Sequence, residues 1–377
     1  MVSQYTGKGD AEGKQRAIGT LFSTIALLAV AFMIIGLVFS RQLLVILNVP
    51  EVALEQAVEY SVICFCGMVF ISGYNLFAAI LRGMGDSKRP FIFIATAAIV
   101  NLLLDLLFIA VFKWEAFGAA LATVIGQATS FTAALIYLYH RREAFGFDFK
   151  LHSFKIDGGM CKTLFKLGIP MALQHSAVQI SKLFVTSYIN SYGVTASAVN
   201  GIGNKLTRVS NMITQSLSTA STSMVGQNFG AGKKDRVKKS VYVCLTISLT
   251  CTAILAAAVL LFPSQIFALF TTDTDVLKMA AEMYLYIAAI EFLANGLRCP
   301  MMSLVNGVGN SALALVIGLV DGVVARIFLA IFLGVTCEMG ILGFWIGGAL
   351  ASFIPFLIGG VYFWGSFWKK RKAITER

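Results

Sequence analysis

The sequence predicts an all-α polytopic membrane protein built from two parallel-repeat helical lobes. Three observations predict it. The chain of 377 residues is 58% hydrophobic, carries 13% charged residues and has a mean hydropathy of +0.80, which leaves too little charge to cover a soluble surface. Apolar stretches of about 20 residues, the length a helix needs to cross a hydrocarbon core, recur throughout. Connections rich in lysine and arginine alternate with connections that hold few.

Ten spans follow, near 17–40, 57–81, 91–112, 117–139 and 163–191, then near 197–226, 239–262, 279–305, 311–334 and 341–365. The basic connections mark one side. Lys8, Lys14 and Arg16 precede the first span, and Arg82, Lys88 and Arg89 separate the second from the third. Arg141, Arg142, Lys150 and Lys155 follow the fourth, Lys233, Lys234, Arg236, Lys238 and Lys239 follow the sixth, and Lys369, Lys370, Arg371 and Lys372 follow the tenth. The opposite side holds little more than Arg41, Lys113 and Lys278. This positive-inside pattern, with an even number of spans, puts both termini in the cytoplasm, and the expected location is the cell membrane. The net charge of +11 is therefore topological, and no nucleic-acid partner is expected. The first sixteen residues are polar and glycine-rich, unlike a signal peptide.

The seven cysteines lie mostly within spans, and Cys64 and Cys66 lack zinc-ribbon spacing. They read as small apolar core residues. His140 and His152 fall in the connection after the fourth span and are expected in solvent. No nucleophile–base set or metal cluster suggests an enzyme.

An internal repeat organises the chain. "VGQNFGAGKKDRVKKSV" (Val225–Val241) is echoed by "VSQYTGKGDAEGKQRAI" (Val2–Ile18), pairing Gln227 with Gln4, Gly230 with Gly7 and Gly232 with Gly9. "RGMGDS" (Arg82–Ser87) answers "NGVGNS" (Asn306–Ser311), and "AFGAALAT" (Ala116–Thr123) answers "ILGFWIGGALAS" (Ile341–Ser352) more loosely. Matches that begin on the same side imply parallel halves, a first lobe at 1–150 with four spans and a second at 151–377 with six. The second half has two spans before its "VGQNFGAG" loop, whereas the first begins at that loop. The expectation is a twelve-helix parent with about 60 further residues folding as two helices, of which ten helices are present. The "GQNFGAGKKDR" loop lacks G-x-x-x-x-G-K-[ST], so it reads as a tight turn and not as a nucleotide site.

"AAIVNLLLDLLFIAVF" (Ala97–Phe112) holds the sharpest polar signal. Asn101 and Asp105 lie one turn apart on one helical face, and an ionisable group at bilayer depth costs a few kcal/mol or more. A carboxylate with amide oxygen suits Na⁺, and the same carboxylate can carry a proton. An interhelical hydrogen bond with Asp105 protonated is the other reading.

The two halves, the "GQNFGAGKKDR" and "LRGMGDSKRP" loops and "KLGIPMALQ" together resemble a multidrug and toxic compound extrusion (MATE) transporter, most of all the bacterial DinF-like branch, over essentially the whole chain. The resemblance implies a V-shaped pair of lobes rocking between inward- and outward-open states. It implies export of cationic or amphipathic small molecules in exchange for Na⁺ or H⁺, with membrane lipid as surroundings, no other cofactor, and a monomer. It also implies a first-lobe cation site of Asn101 and Asp105 with Thr123 on the next span, and Asn75 as a further candidate. An acidic residue on the absent first helix would complete that site.

In the second lobe Glu291, Arg298, Asp321 and Arg326 are intramembrane charges on neighbouring spans that either pair with one another or line a cavity. Glu291, Gln174, His175 and Arg298 are the candidates for a substrate cavity. Two rival readings remain: a flippase for a lipid-linked saccharide, whose phosphates would require a strongly basic cavity, and a remnant that inserts without transporting. The facing of Lys182, Lys205, Arg208, Arg298 and Arg326 discriminates the first rival from an exporter.

Overall fold

The computed structural model describes residues 1–46 and 49–376. Among them every expected span is largely helical, the helices running up to six residues beyond the expected ends, and no strand occurs. The chain divides into two compact units, Met1–Leu164 and Phe165–Arg377.

The first unit holds α1 (Val2–Lys8), α2 (Ala11–Ile46), α3 (Glu51–Cys66), α4 (Met68–Gly83), α5 (Lys88–Asp105) and α6 (Glu115–His140). The expected span at 57–81 is a pair, α3 and α4, bent by 46° at Gly67. Ile18, Phe77, Ile80, Leu81 and Leu138 bind α2, α4 and α6 into a common core. The connection after α6 packs on this unit: Phe147, Phe149 and Phe154 surround Phe22 of α2, and the Asp157 amide donates to Thr20 Oγ1 at 3.1 Å. The lobe boundary expected at 150/151 falls within this packed connection. That aromatic cluster carries the first unit onward to Leu164, inside the next helix.

That helix, α7 (Gly158–Asn190), leads into the second unit, with α8 (Val194–Gly230), α9 (Lys234–Leu261), α10 (Leu285–Gly307), α11 (Ser311–Thr336) and α12 (Ile341–Trp364). The apolar and small residues of α10 (Phe292, Ala294, Gly296, Met301 and Leu304 among them) are buried, so this helix is the centre of the unit. Regular α-geometry in α11 stops at Leu319, and wider π-turns run through Val320–Ile327 and Phe332–Thr336.

Mid-helix prolines leave carbonyls without a helical donor. Pro170 removes the partner of the Lys166 carbonyl, and Ser311 Oγ of α11 donates to that oxygen at 2.9 Å. Pro300 frees the Gly296 carbonyl, which accepts from Ser248 Oγ of α9 at 2.8 Å. In lipid a lost rung must be satisfied from within the protein, and a neighbouring hydroxyl does so here.

The repeat has a conformational signature. Gly9 and its repeat partner Gly232 are left-handed at φ 75° and 72°, and Gly85 and Gly309 at 97° and 73°. Both loops turn through a conformation that side chains resist, which explains why these glycines recur at matching places.

Among the described residues six helices are long and apolar enough to cross a membrane, or seven with α3–α4 as one span. On α2 and α5 the apolar side chains point outward, Leu27, Phe32, Ile35, Ile99, Leu102 and Leu103 each being about half exposed or more. Apolar surface on this scale belongs against lipid. Three expected spans, α7, α8 and the segment ending in α10, are helical but too polar to count on hydropathy. Their polar residues converge on one cavity, described next.

Candidate functional site

In the first unit, α5 carries Asn101 and Asp105 one turn apart, and α6 approaches closely. A Cβ on Gly126 would lie 3.0 Å from both the Ala97 carbonyl oxygen and Asn101 Cβ, so glycine there lets α6 rest on the Asn101 turn. Thr123 lies just before Gly126 on α6, its hydroxyl donating to Ala119 O at 2.9 Å. Tyr60 of α3 interacts electrostatically with Asp105, and its hydroxyl meets Thr123 and Cys64. The structure thus gathers Asn101, Asp105 and Thr123, and adds Tyr60, which sequence reasoning missed because aromatic residues are ordinary in such spans.

Two features distinguish this site. Asn101 Nδ2 is buried with no hydrogen-bond partner, and Asp105 makes no salt bridge among the described residues. Asp105 is also the last regular residue of α5 before a π-turn, Leu106–Val111, a distortion often found at functional positions. The oxygens of Asp105, Asn101 and Thr123 could together hold a hard cation. Asn75 does not join them among the described contacts; its side chain is exposed and donates to Ile71 O of its own helix at 2.9 Å.

In the second unit, α7, α8 and α10 enclose a cavity of about 610 Å³. Gln174, His175 and Arg298 lie on its wall, joined by Lys182, Arg208 and Asn295; among the described residues no carboxylate does. Glu291 lines instead a void of about 60 Å³, with Lys182 and Arg326, and accepts from Thr207 Oγ1 at 3.4 Å. Asp321 is fully buried behind the larger cavity. Arg326 Nη2 binds its Oδ1 at 3.0 Å and Arg298 Nη1 its Oδ2 at 3.5 Å. Arg326 is held further by Gly348 O at 3.0 Å and Ser352 Oγ at 3.1 Å. Three of the four expected intramembrane charges therefore pair, and Glu291 does not pair with them.

The spacing of Gly318 and Gly322 seats α7 on α11. A Cβ at Gly318 would overlap Gln174 Cγ, and one at Gly322 would fall 3.0 Å from the Ala177 carbonyl oxygen. Small residues four apart allow this close packing, and it turns Gln174 and His175 toward the cavity.

The MatE family model matches residues 1–107 and 170–336. The chain belongs to the MatE family. "Probable multidrug resistance protein YpnP" of Bacillus subtilis (strain 168) is 30% identical over 380 residues, covering 100% of this chain and 83% of that protein. "Probable multidrug resistance protein YoeA" of the same organism is 28% identical over 381 residues, with 100% and 82% covered. A solved structure, described as the outward-facing conformation of a multidrug resistance MATE family transporter of the MOP superfamily, superposes with a TM-score of 0.89 at 22% identity, over 98% of this chain and 81% of that one. At that identity the likeness shows the fold. As a MatE protein the chain is a multi-pass membrane transporter and not an enzyme.

Proposed function

We propose that this MatE protein exports amphipathic small molecules, cationic drugs among them, from the cytoplasm across the cell membrane, in exchange for Na⁺ or H⁺ taken up at Asp105. Alternating access of a rocker-switch kind would couple the two, with both termini cytoplasmic and the chain acting as a monomer. The names of the related proteins support the cargo class. The observation that carries the coupling is a carboxylate inside an apolar helix, with no salt bridge among the described residues, beside an amide nitrogen without a hydrogen-bond partner. Such a group gains most from binding and releasing a cation.

The test is Asp105→Asn in proteoliposomes with an imposed Na⁺ or H⁺ gradient. The variant should lose gradient-driven efflux by more than about tenfold while inserting normally. Efflux that keeps its ion dependence would sink the assignment. A second reading, a flippase for lipid-linked saccharides, is favoured by the cationic wall of the second unit's cavity, because phosphate-bearing cargo needs such a wall.

A further inference from the structure

The larger cavity of the second unit carries positive charge that the surrounding helices balance only in part among the described residues. Lys182, Arg208 and Arg298 line it, and Arg326 stands behind it. Against these four cations stand two carboxylates, Asp321 and Glu291, neither on the cavity wall. Arg326 takes the shorter bond to Asp321, at 3.0 Å, which leaves Arg298 the longer contact of 3.5 Å and a guanidinium turned to the cavity. Arg208 makes no salt bridge among the described residues. Excess charge at membrane depth is costly without a counter-ion or water, and a low-dielectric wall focuses its field on the cavity.

A second, independent observation points to the same occupant. Asn295, on α10 one turn before Arg298, is 5% exposed, lines the cavity and has a buried Nδ2 with no partner. A buried donor left without a partner is unfavourable, so an acceptor placed there is favoured. Two guanidiniums, an ammonium and an amide donor around one polar cavity match an acceptor-rich anion. Guanidiniums in particular bind phosphate in two-pronged fashion. Val178, Met212 and Met302 on the same wall offer apolar surface to a tail.

We propose that the second unit's cavity binds the anionic, phosphate-class head group of an amphipathic substrate, with Arg208, Arg298, Lys182 and Asn295 as its donors. This adds anionic amphipaths to the exporter's cargo and rests on that reading for its physiological meaning. The binding itself does not.

The experiment is calorimetric titration of the purified full chain in neutral detergent with hexyl phosphate, hexyltrimethylammonium and inorganic phosphate. Hexyl phosphate should bind at least about tenfold tighter than hexyltrimethylammonium. Arg208→Gln breaks no ion pair and should weaken hexyl phosphate binding by about tenfold. Asn295→Ala should weaken it less. Inorganic phosphate binding as tightly as hexyl phosphate supports the site and makes a free oxyanion its ligand; much weaker inorganic phosphate binding supports the site and makes the ligand an amphipath. Equal binding of the two hexyl probes, preference for the cation, or an unchanged affinity in Arg208→Gln overturns the proposal. No gradient is needed, so a failure here is separate from a failure of Asp105→Asn to stop coupled efflux.

Discussion

Asp105 and Asp321 lie on the two helices that follow matching glycine loops, and each adjoins or enters a π-turn. In the register set by Gly85 and Gly309, however, Asp105 falls opposite Leu329 and Asp321 opposite Ala97. Their surroundings differ in kind. Asp321 is fully buried and held by two guanidiniums, one of them anchored by Gly348 and Ser352. Asp105 is half-buried, with a tyrosine, a threonine and an unsatisfied amide nearby and no cation in salt-bridge reach among the described residues. An acid whose charge is already matched has little to gain from an ion. Chemistry that exchanges cations belongs where the match is missing, and a duplicated framework can hold one acid of each sort.

Removing each charge tests that contrast most directly. Asp321→Asn strands the buried Arg326 and takes the counter-ion from the cavity-facing Arg298, and should cost about 3–5 kcal/mol, read in SDS unfolding titrations. Asp105→Asn should change stability by less than about 1 kcal/mol despite its effect on coupling. Equal losses would collapse the distinction. Gly126→Val asks whether the first site depends on close helix approach. It should cost about 1–3 kcal/mol through overpacking and weaken ion-driven efflux; efflux at the original rate would show that Asn101 and α6 need not touch. The finest comparison is between hydroxyls. Ser352→Ala takes one bond from Arg326 and should cost about 1 kcal/mol, whereas Thr123→Ala, whose hydroxyl bonds its own helix, should stay within about 0.5 kcal/mol yet shift the ion concentration for half-maximal efflux.

Much of this was legible in the sequence, for physical reasons. Long apolar runs disclosed the helices, and Gly9, Gly85, Gly232 and Gly309 disclosed the repeat because few other residues tolerate their φ. Asn101 and Asp105 stood out as polar groups in an apolar run. The pairing of Asp321 with Arg326 was harder to see. Five residues apart, they diverge on a regular α-helix, and the π-turn over Val320–Ile327 brings them together. No composition rule announces such a turn. Asn295 was passed over as well, although an amide one turn from Arg298 in an apolar helix is the same kind of signal as Asn101. Glu291 drew attention as an acid but lies off the larger cavity, because it faces the Thr207 side of α10. Hydropathy understated α7, α8 and α10 because the side chains that lower it face a cavity and not lipid.

The serines opposite the two prolines have a mechanical consequence. A helix that lacks one rung is more compliant at that point, and the compliance is normally free to express itself as bending. Here Ser248 ties the weak point of α10 to α9, and Ser311 ties that of α7 to α11. Flexing either proline helix must therefore stretch a bond to its neighbour, so the helices of each pair bend as a laminate and not as separate rods.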